Sequence, residues 1–130
     1  MKNEFIPYEQ ALELKNLGFD EYCYAKYNRK EFQHNSLGGG INYNDISYGN
    51  NLISAPLYQQ AFRWFREKYN LFSVIDVDQT MEPLFCYSLS KYKGNFQWDN
   101  ILPTYSELYY TYEEAELACL KKLIEIVKNK

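Results

Sequence analysis

The chain reads as an α+β protein, an antiparallel sheet with three helices in the order α-β-β-α-β-β-β-α, and three stretches carry that reading. Tyr58, Ala61, Phe62, Phe65 and Tyr69 recur at spacings of three and four, the period of a helix with one buried face. Thr111 to Glu114 opens a second apolar-periodic run that lasts to Val127. Between them, Leu71 to Val77, Leu84 to Ser90 and Asn95 to Ile101 are apolar or alternating segments separated by turn residues, the pattern of an antiparallel meander.

In chain order, the first helix is expected from about Pro7 to Leu17, where Pro7 costs nothing at an early helical position and Gly18 stops the helix. Phe19 then folds back onto the last turn. Glu21 to Tyr27 predicts a strand with Cys23, Ala25 and Tyr27 on its buried side. Asn28-Arg29-Lys30 is a turn, Glu31 to Gln33 a short return strand, and Gly38-Gly39-Gly40 a flexible tip. The alternation slips phase between Tyr43 and Ile46, which predicts a bulge or two short pieces over Ile41 to Tyr48. The central helix starts at Pro56, with Ser54 or Ala55 as its boundary. It ends at Asn70, a residue suited to a left-handed cap, and a strand leaves directly at Leu71. In the last helix Thr111 caps the start, Glu114 completes a capping box, and Ala115, Cys119, Leu120, Leu123, Ile126 and Val127 form the apolar face.

A length of 130 residues predicts a single domain over 1–130, large enough for one core. The net charge of -3 argues against bulk binding to a nucleic-acid backbone, which needs a basic face. Cys23, Cys86 and Cys119 are odd in number and far apart, which fits reduced core thiols. With no apolar run of signal or membrane-spanning length, the expectation is a soluble cytoplasmic protein that engages no membrane.

Three stretches invite a chemical reading. Val74-Ile75-Asp76-Val77-Asp78-Gln79-Thr80 resembles the first motif of haloacid-dehalogenase-like phosphatases. That resemblance would make Asp76 a nucleophile and Asp78 its acid/base, with magnesium bridging the site. The family places this motif on the first strand of a parallel sheet, whereas here it precedes a hairpin, so period-two alternation puts both carboxylates in solvent. His34 is the single histidine and reads as a solvated residue of a polar loop, between Gln33 and Asn35, without a second metal ligand or nucleophile. Gly38-Gly39-Gly40 lacks the Lys-Ser/Thr that completes a phosphate loop. No catalytic residue, metal ligand or cofactor is therefore assigned.

Aromatic and basic residues point to binding instead. Fourteen tyrosines exceed what so small a core absorbs, and tyrosine gives large contact area at low entropic cost. The binding candidates are Arg63, Trp64, Arg66 and Lys68 on the central helix and Tyr105, Tyr109 and Tyr110 after the last strand. Trp98 could equally belong to the core. Lys91-Tyr92-Lys93, with its cations around a tyrosine, leaves a single-stranded RNA-binding module as the alternative.

Pro7 to Phe19, Ala55 to Phe72 and above all Thr111 to Val127, TYEEAELACLKKLIEIV, resemble a group of small uncharacterised proteins of Bacteroidota phages and mobile elements. The resemblance covers the three helices, somewhat under half of the chain, and carries no catalytic residues over. It implies no defined activity; small acidic proteins of such elements are often host-directed factors, including anti-CRISPR inhibitors, and the expectation is a non-enzymatic interaction protein of that kind. The partner would be a host protein such as a defence nuclease, or its guide RNA.

Overall fold

The computed structural model describes residues 2–34, 40–80, 82–102 and 105–129. It is an α+β structure with three α-helices and two three-stranded antiparallel sheets, and it divides into two compact units, Met1–Gln60 and Ala61–Lys130. The first unit carries one strand more than the sequence predicts, and the strands form two sheets where one was expected.

In the first unit, helix α1 (Tyr8–Asn16) follows Pro7, which is extended and stands just outside the helix. Gly18 adopts φ 95° and the Gly18 and Phe19 amides donate to the Lys15 and Leu14 carbonyls, a Schellman ending that buries Phe19. Strand β1 (Ala25–Asn28) pairs with β2 (Glu31–His34) on one side and β3 (Leu52–Ser54) on the other. Cys23, Ala25 and Tyr27 are buried, while Tyr22 and Tyr24 point outward, as alternation requires. The β1–β2 turn is Arg29-Lys30, both left-handed at φ 53° and 71°.

β1 begins at Ala25 rather than Glu21, and the approach to the central helix also differs from the sequence expectation. Ser54 is the end of β3 rather than a helix boundary: its amide donates to Asn44 Oδ1 and its hydroxyl accepts from the Tyr43 amide. Pro56 precedes helix α2 (Tyr58–Tyr69), and its carbonyl accepts from the Ile6 amide. His34 closes β2 instead of lying in a loop, with its ring 5.6 Å from that of Phe5. Ile41 bridges Cys23, and Ile46–Tyr48 form a short 3₁₀ turn capped by Asp45, whose carboxylate accepts from the Ser47 amide. Gly40 lies so close to the Cys23 backbone that a Cβ would come within 3.1 Å of its nitrogen. Gly38 and Gly39 of the expected tip, and Pro103 and Thr104 beyond the last strand, lie outside the described residues.

In the second unit, Asn70 takes φ 56° and β4 (Leu71–Asp78) leaves α2 at once. Strand β5 (Leu84–Gly94) pairs with β4 along its length and with β6 (Gln97–Asn100) at its far end. The Ser106 and Tyr109 backbones continue the cover of β5 by bonding to Tyr87 and Phe85. Helix α3 (Tyr112–Lys128) packs on β4 and β5. Thr111 caps it as expected, the Glu114 amide donating to Thr111 Oγ1 at 3.1 Å, while the Glu114 carboxylate accepts from the Thr111 hydroxyl at 3.0 Å, a variant of the expected capping box. Ala115, Cys119, Leu120 and Leu123 are fully buried, with Ile124 beside them, whereas Ile126 and Val127 are only half-buried. All three cysteines are free and buried, and burial pushes the Cys23 and Cys119 thiols up to about 12.

Candidate functional site

The sequence candidates on α2 separate in the structure. Arg63, Arg66 and Lys68 are exposed, and Arg63 Nε lies 3.6 Å from Glu67 Oε1. Trp64 is not a surface residue: it is 4% exposed, edge-on to Phe65 and Tyr69 at 5.1 and 5.4 Å, with the Lys68 ammonium 5.2 Å from its ring centre. The helical wheel places Trp64 on a flank, but a side chain of this size reaches the core from there.

After β6, Tyr105 and Tyr110 are exposed, as expected. The Tyr105 hydroxyl donates to Asp76 Oδ2 at 3.2 Å, and that bond, with the charge beside it, holds the phenol above its ordinary range. Tyr109 is half-buried, its amide and carbonyl exchanging hydrogen bonds with Phe85 at 2.7 and 2.8 Å, so it serves the sheet first. Trp98, ambiguous from sequence, is 51% exposed.

Asp76 is exposed and turns its other oxygen to the Val77 amide at 2.8 Å. Asp78 accepts from the Thr80 amide and hydroxyl, which lowers its carboxyl below the usual range. These bonds make the pair a strand end and an Asx turn. Among the described residues, no group of three or more His, Cys, Asp and Glu side chains could hold a metal ion.

The β5–β6 hairpin is expected from sequence, with Lys93-Gly94-Asn95 as its turn; what the structure adds is its tip. Its two-residue turn is Asn95-Phe96, with both residues left-handed at φ 53° and 61°. Asparagine tolerates that conformation; phenylalanine does so at a cost of about 1–2 kcal/mol. The ring nevertheless gains no burial, because Phe96 is 94% exposed. Its amide is held by the Tyr92 hydroxyl at 3.2 Å. Behind the tip, Trp98 pairs across the hairpin with Tyr92, their ring centres 4.9 Å apart, and stands edge-on to Phe72 at 5.1 Å. Lys93 and Asp99, the next residues along each strand, form an exposed pair at 3.4 Å. Val74, also exposed, continues the face two residues beyond Phe72. The result is a ribbon that presents one phenyl ring at its tip and an indole behind it.

Compared with family models, curated proteins and solved structures, the chain matches none.

The first unit has a surface group of its own, formed by Tyr22, Tyr24, Ile46 and Tyr48, all exposed. Tyr22 and Tyr48 border an open depression of about 250 Å³ floored by Gly40, Ile41 and Asn42. Sequence reasoning passed over Phe96 because a single aromatic beside Gly94-Asn95 looks like strand material. The available signal was the missing glycine: a two-residue hairpin turn usually reads Asn-Gly, and here it reads Asn-Phe. No described helix is long and apolar enough to cross a membrane.

Proposed function

We propose that this chain is a non-enzymatic interaction protein that docks onto a protein partner through the β5–β6 hairpin, with Phe96 as the inserted side chain. The observation that carries the reading is the conjunction at Phe96 of left-handed backbone and nearly complete exposure. A strained residue persists where the surrounding structure fixes it, and such strain concentrates at functional positions. Buried in a partner's pocket, a phenyl ring would contribute about 2 kcal/mol, enough to act as a binding anchor alongside Trp98. Following the resemblance, the partner class is a host defence nuclease of the CRISPR type, held by occupation of its surface rather than by chemistry on it.

The test uses immobilised full-length chain, with a guide-loaded CRISPR-type nuclease of a Bacteroidota host as the probe. The wild-type chain is expected to retain the nuclease and slow its cleavage, and Phe96→Gly to lose retention at least tenfold. Glycine relieves the left-handed strain, so the variant should fold with equal stability or gain up to about 1 kcal/mol. Capture that Phe96→Gly leaves intact would overturn the hairpin as the contact. Tight binding of single-stranded RNA by the isolated chain, falling steeply from low to moderate salt, would favour the RNA-binding alternative.

A further inference from the structure

The open depression of the first unit combines two accessible tyrosine rings with a carboxylate: Tyr22, Tyr48 and Asp45 line it, over a floor of Gly40, Ile41 and Asn42. Tyr22 is 70% exposed and Tyr48 45%, so each keeps ring surface in solvent. Local hydrogen bonds fix the backbone beneath both rings. Cys23, next to Tyr22, exchanges backbone bonds with Ile41 at 2.9 and 3.0 Å, and Gln60 Nε2 donates to the Tyr22 carbonyl at 2.8 Å. Asp45 caps the 3₁₀ turn that Tyr48 closes, and the Tyr48 amide donates to the Asp45 carbonyl at 3.0 Å. One short segment thus delivers the carboxylate and the second ring together.

A tyrosine face is negative, and so is Asp45, whose carboxyl the Ser47 amide holds below the usual range. The depression therefore favours a cation over an anion. Lys26 follows the same preference one ring further in: its ammonium lies 4.9 Å from the centre of the Tyr43 ring, which is 6.1 Å from that of Tyr48. The kind of cation is decided by the hydrogen-bond acceptors, most of which are engaged. The Ile41 carbonyl accepts from Cys23, the Asn42 carbonyl from Asp45, Asn42 Oδ1 from the Asn44 amide and Asp45 Oδ1 from the Ser47 amide. A lysine ammonium brings three donors and a guanidinium five, and each donor that leaves water needs an acceptor. A quaternary ammonium has no N–H to satisfy and needs only charge and ring faces. A volume of about 250 Å³ admits one such headgroup.

We propose that this depression binds a quaternary ammonium group, held against the faces of Tyr22 and Tyr48 with the Asp45 carboxylate as its counter-charge. The guest is a choline-like molecule or a trimethylated lysine side chain, which share this chemistry.

Titration of the full chain followed by NMR tests it, with choline and N-acetyl-trimethyllysine amide as probes. Dimethylbutanol, the neutral isostere of choline, and unmethylated N-acetyl-lysine amide serve as controls. At least one quaternary probe is expected to bind in the millimolar range, with shifts centred on the Tyr22 and Tyr48 rings. Binding by choline alone, or by the trimethyllysine amide alone, identifies the source. Tyr22→Leu should weaken the probe about threefold and Asp45→Asn about fivefold, the losses expected for one exposed ring and one exposed charge. Both variants should melt with the wild type, because the Tyr22 side chain is exposed and an asparagine at 45 still accepts from the Ser47 amide. The proposal falls if neither quaternary probe binds by about 50 mM, a level weaker than any useful site. It also falls if either control binds as tightly, or if either substitution leaves the affinity unchanged.

Discussion

At the scale of single residues, the two tryptophans exchange the roles their surroundings in sequence suggest. Trp64 sits among Arg63, Arg66 and Lys68 and reads as a surface aromatic, yet it is core; Trp98 sits in an alternating strand and is half in solvent. Trp64→Ala should therefore cost about 3–5 kcal/mol in urea denaturation, the loss typical of a deleted core aromatic, where a surface ring would cost under about 1. Glu116 is a charged residue on an apolar face, at helical spacing from the buried Cys119, Leu120 and Leu123. It lies on the buried side of α3 at 7% exposure, and burial first, then the nearby Glu113 charge, pushes its carboxyl up to about 7 from 4.5. The folded state thus binds this proton more tightly than the unfolded state does. The stability it contributes is complete below about pH 4.5 and is lost as pH rises through about 7. Glu116→Gln should leave stability unchanged near pH 4.5 and raise it by about 1–2 kcal/mol at pH 8, measured by denaturation at both values. An equal effect at the two pH values would show that the carboxyl does not titrate in this range.

At the scale of elements, the most legible parts are those governed by nearest neighbours along the chain. The α3 cap is one: Thr111 and Glu114 bond as their spacing predicts. Thr111→Ala should lower stability by about 1 kcal/mol, and Thr111→Ser should restore most of it. The stops at Gly18 and Asn70 are equally local, since each needs only a residue at ease with positive φ. The start of α2 was misread because Pro56 suits a first helical turn and an extended segment equally well. The pairing of the Ile6 amide with its carbonyl, fifty residues away in the chain, selects the extended form. Strand β3 escaped notice for a related reason: Leu52–Ser54 has too few residues to show alternation and is a strand only because β1 pairs with it.

For the molecule as a whole, the α+β class and the run of strands after α2 follow from periodicity, which reports the faces that must be buried. The sequence by itself determined the helices, the stops at Gly18 and Asn70, the β4–β5–β6 meander and the buried state of the three cysteines, because hydrogen bonding and side-chain period act within a few residues. Tertiary structure alone decided that the strands form two sheets, that Trp64 is inside, and that Phe96 and Trp98 face solvent. Burial depends on what arrives from elsewhere in the chain. A tyrosine or phenylalanine looks the same in sequence whether that space is later filled or left open.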